Sequence, residues 1–508
     1  MKKILFILSS IILAVVFFLG FNYYKNHLNI QKNIKKTKVI SQEIEKVNKV
    51  EETKIIISEP IIKTKDEKIE TLRKRFSLRG IIARGDNFFD GNQLILALNE
   101  YAKALKQNPK DEQIIKKLAL TYFELKRFQN SVEQFSKIET FLNKDETNKY
   151  ILSLIYQIDF TSNENIKITI DKINFLNITA EEKFYYTTII NSAIDFHQAK
   201  KSFEEYFTNN QELIFQPLIN IKNAIINYNN FKSNDLYYKD ALIIGTFFQA
   251  RVFNISNILA ENMLEQKPNY KPILLIIGKG NYELGNLEKS QKYLQEYYNL
   301  EPKDKDISYI LGNINFKLHD YITSNLYYNV ALDNGFEPKI ELKRKLIYNY
   351  YLNGDNRAML NMFSFLLDEE NSTIDDFSLG IYHAILEGRN LNAIARSERG
   401  LQKFSGQNGY EVFYAYLGWV SRESRELDKS REYLIKGLSI NSKDPLLTLN
   451  MGYLNEYEEK YNLALIYLKR TININGDGEF GELAQKEISE IEKYLSEKTS
   501  NTGSIITQ

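Results

Sequence analysis

The 508-residue chain contains no cysteine. That absence excludes a disulfide framework, a Cys-ligated zinc and a lipid-modified cysteine behind the N-terminal segment. An excess of charge is also lacking: 66 Lys and Arg stand against 65 Asp and Glu, so there is no electrostatic case for nucleic acid as the main ligand. Only 8 prolines and 23 glycines interrupt the chain, which leaves room for long helices. The four histidines, His27, His197, His319 and His383, form no metal-binding spacing, and no nucleophile elbow or kinase signature is present. The expectation is a chain without metal, cofactor or catalytic residues, and therefore not an enzyme. Aromatic side chains, in contrast, are plentiful, with 34 Tyr and 30 Phe.

The first 24 residues open with Lys2 and Lys3 and continue as an uncharged, mostly apolar run from Ile4 to Tyr24. Roughly 20 such residues match the thickness of a bilayer core. The run is long for the core of a cleaved signal peptide, and it ends in bulky residues (Phe17, Phe18, Leu19, Phe21) where cleavage needs small ones. Residues 1–24 are expected to be a single transmembrane signal anchor. Lys2, Lys3 and the amino terminus favour a cytoplasmic N-terminus, whereas Lys25, Lys32, Lys35, Lys36 and Lys38 pull the other side inward. The expectation adopted is that the rest of the chain lies outside the cytoplasm. Residues 25–76 are dense in Lys, Glu and Ile with no apolar stripe, and read as a charged, solvated spacer.

Beyond the spacer the sequence repeats. A step of 34 residues carries Phe88 onto Tyr122, Ala97 onto Ser131 and Tyr101 onto Phe135. It also carries Gly278 onto Gly312, Ser290 onto Ser324 and Pro268 onto Pro302, and near the C-terminus Gly418 onto Gly452, Ser430 onto Ala464 and Leu434 onto Leu468. This pattern resembles the tetratricopeptide repeat, a helix–turn–helix unit of about 34 residues. The clearest copies are 78–111, 112–145, 237–270, 271–304, 305–338, 411–444 and 445–478, with weaker ones near 340–373 and 373–410. Residues 146–236 keep phase poorly and read as divergent helical repeats with inserts.

The spacing has a physical logic. A small residue in each second helix (Ala97, Ser131, Ser256, Ser290, Ser324, Ser430, Ala464) lets the first helix come close, and Tyr101, Phe135 and Tyr328 fill the layer between units. Gly285 marks a turn, and Pro109, Pro268 and Pro302 stop second helices. Residues 479–497 place Phe480, Leu483, Ala484, Ile488, Ile491 and Leu495 on one stripe and read as a capping helix, with 498–508 a disordered tail. The fold class implied is all-α: a right-handed superhelical solenoid of about ten units in the blocks 77–145, 146–236 and 237–478, behind the transmembrane helix.

Two stretches mimic ligand loops. In "PILLIIGKGNYELG" (272–285) the glycine spacing is wrong for dinucleotide binding, and the repeat phase accounts for Gly278 as a packing glycine and Gly285 as a turn. "INGDGEFGE" (474–482) lacks the acidic series of a calcium loop and reads as an interhelical connection. What the resemblance implies is a concave groove lined by first helices that binds protein segments. Its positions here are Phe89, Phe123, Phe248, Tyr282, Tyr309, Asn313, Phe316, Trp419, Arg422 and Tyr453. The Lys/Asn pair with which some relatives clamp chaperone C-termini is replaced by Ile82 and Asp86 and by Leu275 and Lys279, which disfavours that partner. The implied role is a scaffold for protein–protein interaction in assembly of an envelope complex, with self-association open. Two alternatives stand beside it: an envelope polysaccharide or cell-wall polymer binding factor, since aromatics also stack on sugars, and an enzyme with its site in 146–236.

Overall fold

The structure, a computed structural model, describes residues 77–139, 142–230, 235–476 and 478–503. The anchor 1–24, the spacer 25–76 and the last residues of the tail lie outside the described residues. Among the described residues there are 24 α-helices and no strand. No described helix is long and apolar enough to cross a membrane. The chain divides into two compact units, parting between Asp355 and Asn356.

The N-terminal unit begins with α1 (Leu78–Asp90), α2 (Leu94–Gln107), α3 (Glu112–Glu124) and α4 (Phe128–Phe135). It continues with α5 (Lys144–Tyr156), α6 (Asn163–Phe175), α7 (Ala180–Ser192), α8 (Phe196–Asn209) and α9 (Gln216–Asn230). Its last helices are α10 (Leu236–Gln249), α11 (Phe253–Gln266), α12 (Lys271–Leu284), α13 (Leu287–Leu300), α14 (Lys305–Lys317), α15 (Tyr321–Asp333) and α16 (Lys339–Leu352). The C-terminal unit holds α17 (Asn356–Leu367), α18 (Ile374–Leu386), α19 (Asn390–Lys403) and α20 (Val412–Glu423). It ends with α21 (Leu427–Ile440), α22 (Pro445–Tyr457), α23 (Tyr461–Asn475) and α24 (Glu479–Gly503).

Each of the seven clear repeat windows holds one helical hairpin, and the turn inside it is the same device every time. Asn92, Lys126, Arg251, Gly285, His319, Arg425 and Glu459 all adopt positive φ, between 56° and 84°. The next residue's N–H then reaches back to a carbonyl five positions earlier, as from Arg127 to Tyr122 (2.9 Å) and from Glu426 to Ser421 (2.8 Å). This satisfies the carbonyls left open at the end of the first helix. Gly285 and, to a lesser degree, Asn92 have residue types suited to that backbone; the other five carry a Cβ in a left-handed well that costs about 1 kcal/mol. Arg425→Gly and Glu459→Gly are each expected to raise the stability of the C-terminal unit by about 0.5–1 kcal/mol. Urea unfolding followed by Trp419, the single tryptophan, measures this directly.

Packing within a hairpin is equally repetitive. All seven small residues expected to let the helices approach are fully buried. Opposite Ser290, Ser324 and Ser430 sit glycines with no room for a side chain. A Cβ on Gly278 would lie 2.4 Å from Leu294, on Gly312 2.4 Å from Tyr328, and on Gly418 2.6 Å from Leu434. The serines do more than stay small: Ser290, Ser324 and Ser430 donate Oγ–H to the carbonyls of Gly278, Gly312 and Gly418 at 2.7–2.8 Å. So the pair is pinned by a hydrogen bond at its tightest point. Second helices end before Pro109, Pro268 and Pro302, and Asp111 and Asp304 cap the following first helices through two backbone N–H bonds each.

Residues 146–236 depart from simple stacking. They form helices, but α11 (Phe253–Gln266) returns to pack on α5 (Lys144–Tyr156) and α7 (Ala180–Ser192), neither of which is its neighbour in sequence. Asn254 donates to the Ile155 carbonyl (2.7 Å, 99 residues apart), the Tyr156 and Phe253 rings stack at 6.4 Å, and the Tyr156 hydroxyl bonds to the Arg251 carbonyl. The stretch 157–252 therefore leaves and re-enters at neighbouring points, and one apolar cluster running from Ile115 to Ile277 covers the junction. In a plain stack each unit touches only its sequence neighbours.

At the far end α24 covers α22 and α23 with Ala484, Ile488 and Ile491 buried and Phe480 and Leu495 partly so. Leu483, expected on that stripe, is 40 % exposed, because it falls on the shoulder of the helix rather than its inner face. The helix also runs on to Gly503, past the expected end at residue 497.

Candidate functional site

All ten groove positions lie on first helices, seven in the N-terminal unit and three in the C-terminal unit. Phe123 is buried, edge-on to Phe128 at 5.8 Å, and has little surface to offer a ligand. The other nine are half-buried. Phe248 leans on Phe253, and Phe89 packs on the first apolar cluster, around Tyr101.

The densest part of this face spans α12 to α16. Tyr309 stacks on Phe336 at 4.3 Å, and Phe316 contacts Tyr321 and Tyr348 at 5.8 and 5.9 Å. Asn313 accepts from the Tyr328 hydroxyl (2.9 Å) and from Lys345 Nζ (3.2 Å). Lys317 Nζ lies 4.7 Å from the centre of the Tyr282 ring, and Lys345 Nζ 5.5 Å from that of Tyr309, both within cation–π reach. Partial burial of its charge pushes the Lys317 ammonium below the ordinary lysine range. Glu283 opposes that shift, while the neighbouring charges of Lys126 and Lys345 reinforce it. Neither Lys317 nor Lys345 was expected from the sequence. A signal for Lys345 exists, however: Asp86 and Tyr101 stand as far apart as Asn313 and Tyr328, and both pairs meet a lysine of the next first helix.

In the C-terminal unit Trp419 meets Tyr382 edge-on at 6.0 Å, and the Arg422 guanidinium lies over the Tyr453 ring at 5.1 Å. Arg422 pairs with Glu423 through Nη2 (3.0 Å), while its Nη1 is buried without a partner. Below them the Glu456 carboxyl is pushed up to about 7, first by burial and then by the Glu487 carboxylate, with Arg422 pulling the other way. A carboxyl raised in the folded state stabilises fully below its unfolded value near 4.5, and that contribution drains away as pH rises through about 7. Glu456→Gln keeps the uncharged form at every pH. Its advantage over the parent chain is expected to be near zero at pH 4.5 and about 1–2 kcal/mol at pH 8, read by Trp419 in urea.

The remaining motifs are structural. His319 occupies a turn with φ 63° and touches the Tyr321 hydroxyl at 3.0 Å; His383 is buried against Phe363. The glycine-rich stretch 272–285 lies on α12 rather than on a strand and loop. There Gly278 packs on Leu294, Gly285 makes the turn, and a Cβ on Gly280 would collide with Asn257 Oδ1 at 2.2 Å. The connection at 474–482 joins α23 to α24, with Asn475 Oδ1 accepting from the N–H groups of Phe480 and Gly481. No cluster of three or more acidic or histidine side chains able to hold a metal occurs among the described residues.

No protein-family model matches the chain, and no curated protein sequence is significantly similar to it. Solved structures do align. Yeast Tom70 is 11% identical over 83% of this chain and 97% of its own, with a TM-score of 0.29. The C-terminal part of a TPR repeat-containing protein from Cytophaga hutchinsonii is 11% identical over 48% of this chain and 98% of its own, with a TM-score of 0.35. YrrB, described as a TPR protein with an unusual peptide-binding site, is 14% identical over 45% and 97%, with a TM-score of 0.26. With scores this low the fold assignment rests on the chain's own hairpins, turns and small-residue contacts. These make the fold all-α and tetratricopeptide-like.

Proposed function

We propose that the chain is a non-catalytic scaffold that holds extended segments of partner proteins along its first helices and gathers them at a cell envelope. The observation that carries this reading is the half-open aromatic lining of the first helices in both units: Tyr282, Tyr309 and Phe316 in one, Trp419 and Tyr453 in the other. Aromatic side chains that keep an open edge on a rigid helix supply large contact area at little entropic cost. The apolar run at 4–24 supports attachment to a membrane, with the repeats on the outer side.

Two measurements test this. In cells, a Tyr282→Ser, Phe316→Ser double variant is expected to lose at least 90% of the protein captured by formaldehyde crosslinking, while keeping wild-type abundance (~1.4 kcal/mol per tenfold). Undiminished capture would remove the first-helix face from the account. For placement, Ser500→Cys provides the chain's single thiol. Labelling of intact cells by an impermeant maleimide, after opening any outer membrane, is expected. Labelling only after lysis would put the repeats in the cytoplasm.

A further inference from the structure

Several lysines on the first helices of the N-terminal unit are matched to carboxylates. Lys117 Nζ pairs with Asp86 at 2.7 Å, Lys116 with Glu146 at 3.2 Å, Lys149 with Glu124 at 3.5 Å and Asp145 at 3.6 Å, and Lys239 with Glu204 at 2.9 Å. Two lysines inside α14 and α16 depart from this. Lys317 and Lys345 lie over tyrosine rings and make no ion pair with any described residue.

The comparison with α1–α3 shows how the difference arises. There Asp86 accepts from the Tyr101 hydroxyl at 2.7 Å and from Lys117 Nζ at 2.7 Å, so the lysine is neutralised in place. In α14–α16 the same constellation is built from Asn313, Tyr328 and Lys345, at 2.9 and 3.2 Å. An amide stands where the carboxylate was. The geometry is kept and the negative charge is gone. Lys126, at the turn after α3, adds a third cation whose charge reaches Lys317, and Glu283 opposes these charges at Lys317.

We infer that the face between α12 and α16 receives an acidic polypeptide segment, whose side-chain carboxylates lie on Lys317 and Lys345 above the Tyr282 and Tyr309 rings. This deepens the scaffold reading and rests on it. Carboxylates complement ammonium groups held at an aromatic surface, where displacement of water strengthens the pairing. The segment is recognised along its length rather than by its terminus, because the lysines come from two successive first helices.

The test uses the full chain in detergent and two fluorescein-labelled decapeptides, both acetylated and amidated: alternating Glu and Gly, and its Gln and Gly counterpart. At about 25 mM salt the Glu peptide is expected to bind at least about tenfold more tightly than the Gln peptide, and the advantage to shrink at about 300 mM. Asn313→Asp rebuilds the self-neutralised arrangement of Asp86 and is expected to erase the advantage without changing the melting curve. Lys317→Gln with Lys345→Gln should do the same. If the advantage survives both variants, the site is wrong. If both peptides bind equally, and Phe316→Ser weakens both, the acidic inference falls while the scaffold reading stands. If neither peptide binds wild type, the acidic inference falls as well.

Discussion

Replacing Ser324 with leucine is expected to remove about 3–5 kcal/mol of folding free energy, the largest loss of any single change considered. Two costs combine. The site is fully buried and faces Gly312, itself pressed against Tyr328, so the added carbons have no space and overpack by about 1–3 kcal/mol. The hydroxyl also joins three elements: it donates to the Gly312 carbonyl at 2.8 Å and accepts from Asn349 Nδ2 at 2.8 Å. Asn349 is fully buried and its Oδ1 has no partner, so losing Ser324 orphans the whole amide at about 1–3 kcal/mol more. Alanine separates the two terms. Ser324→Ala should cost about 1–3 kcal/mol and exceed Ser290→Ala, whose hydroxyl meets only the Gly278 carbonyl. Circular dichroism in urea decides; equal costs for the two alanine variants would mean that the Asn349 bond contributes nothing.

Acid is expected to weaken the C-terminal unit through His383. Burial against Phe363 depresses the imidazole to about 4, from an ordinary value near 6.5. Between these values the unfolded chain binds a proton that the folded chain refuses. The contribution is therefore complete above about pH 6.5 and is lost as pH falls towards 4, by up to about 3 kcal/mol. Glu456 and the partly buried helix cap Asp444, raised to about 7 and about 6, act with the opposite sign and favour the folded state on the acid side. The useful quantity is thus a difference. Relative to wild type, His383→Leu should gain about 2 kcal/mol between pH 7.5 and pH 5, whatever the carboxyls do. A difference that does not move with pH would show that His383 charges freely in place.

The repeated contacts were legible because they are local and strict. Ala97, Ser131, Ser290 and Ala464 are small for a reason visible at a 34-residue step, and each is fully buried. The turns were legible at Gly285 but not at Lys126, Arg425 or Glu459, where packing of the two helices imposes a left-handed backbone on residues that do not favour it. The return of α11 to α5 was not legible at all. Asn254 and Ile155 meet across 99 residues, and neither type advertises the contact. The aromatic half of the candidate site could be carried from the repeat phase. Its charged half could not, since whether a lysine is free depends on Asp86 or Asn313 standing beside it.

Partners are expected to lie on the first helices and not on the second. Photo-crosslinking at single positions tests it most directly, with p-benzoylphenylalanine placed in turn at Tyr282, Phe316 and Trp419, and at the exposed second-helix positions Ile322, Leu326 and Leu391. The expected result is a discrete crosslinked band, shared by the first three positions and absent from the second three. Crosslinks only from Ile322, Leu326 or Leu391 would contradict the account and move the binding surface to the opposite side of the hairpins.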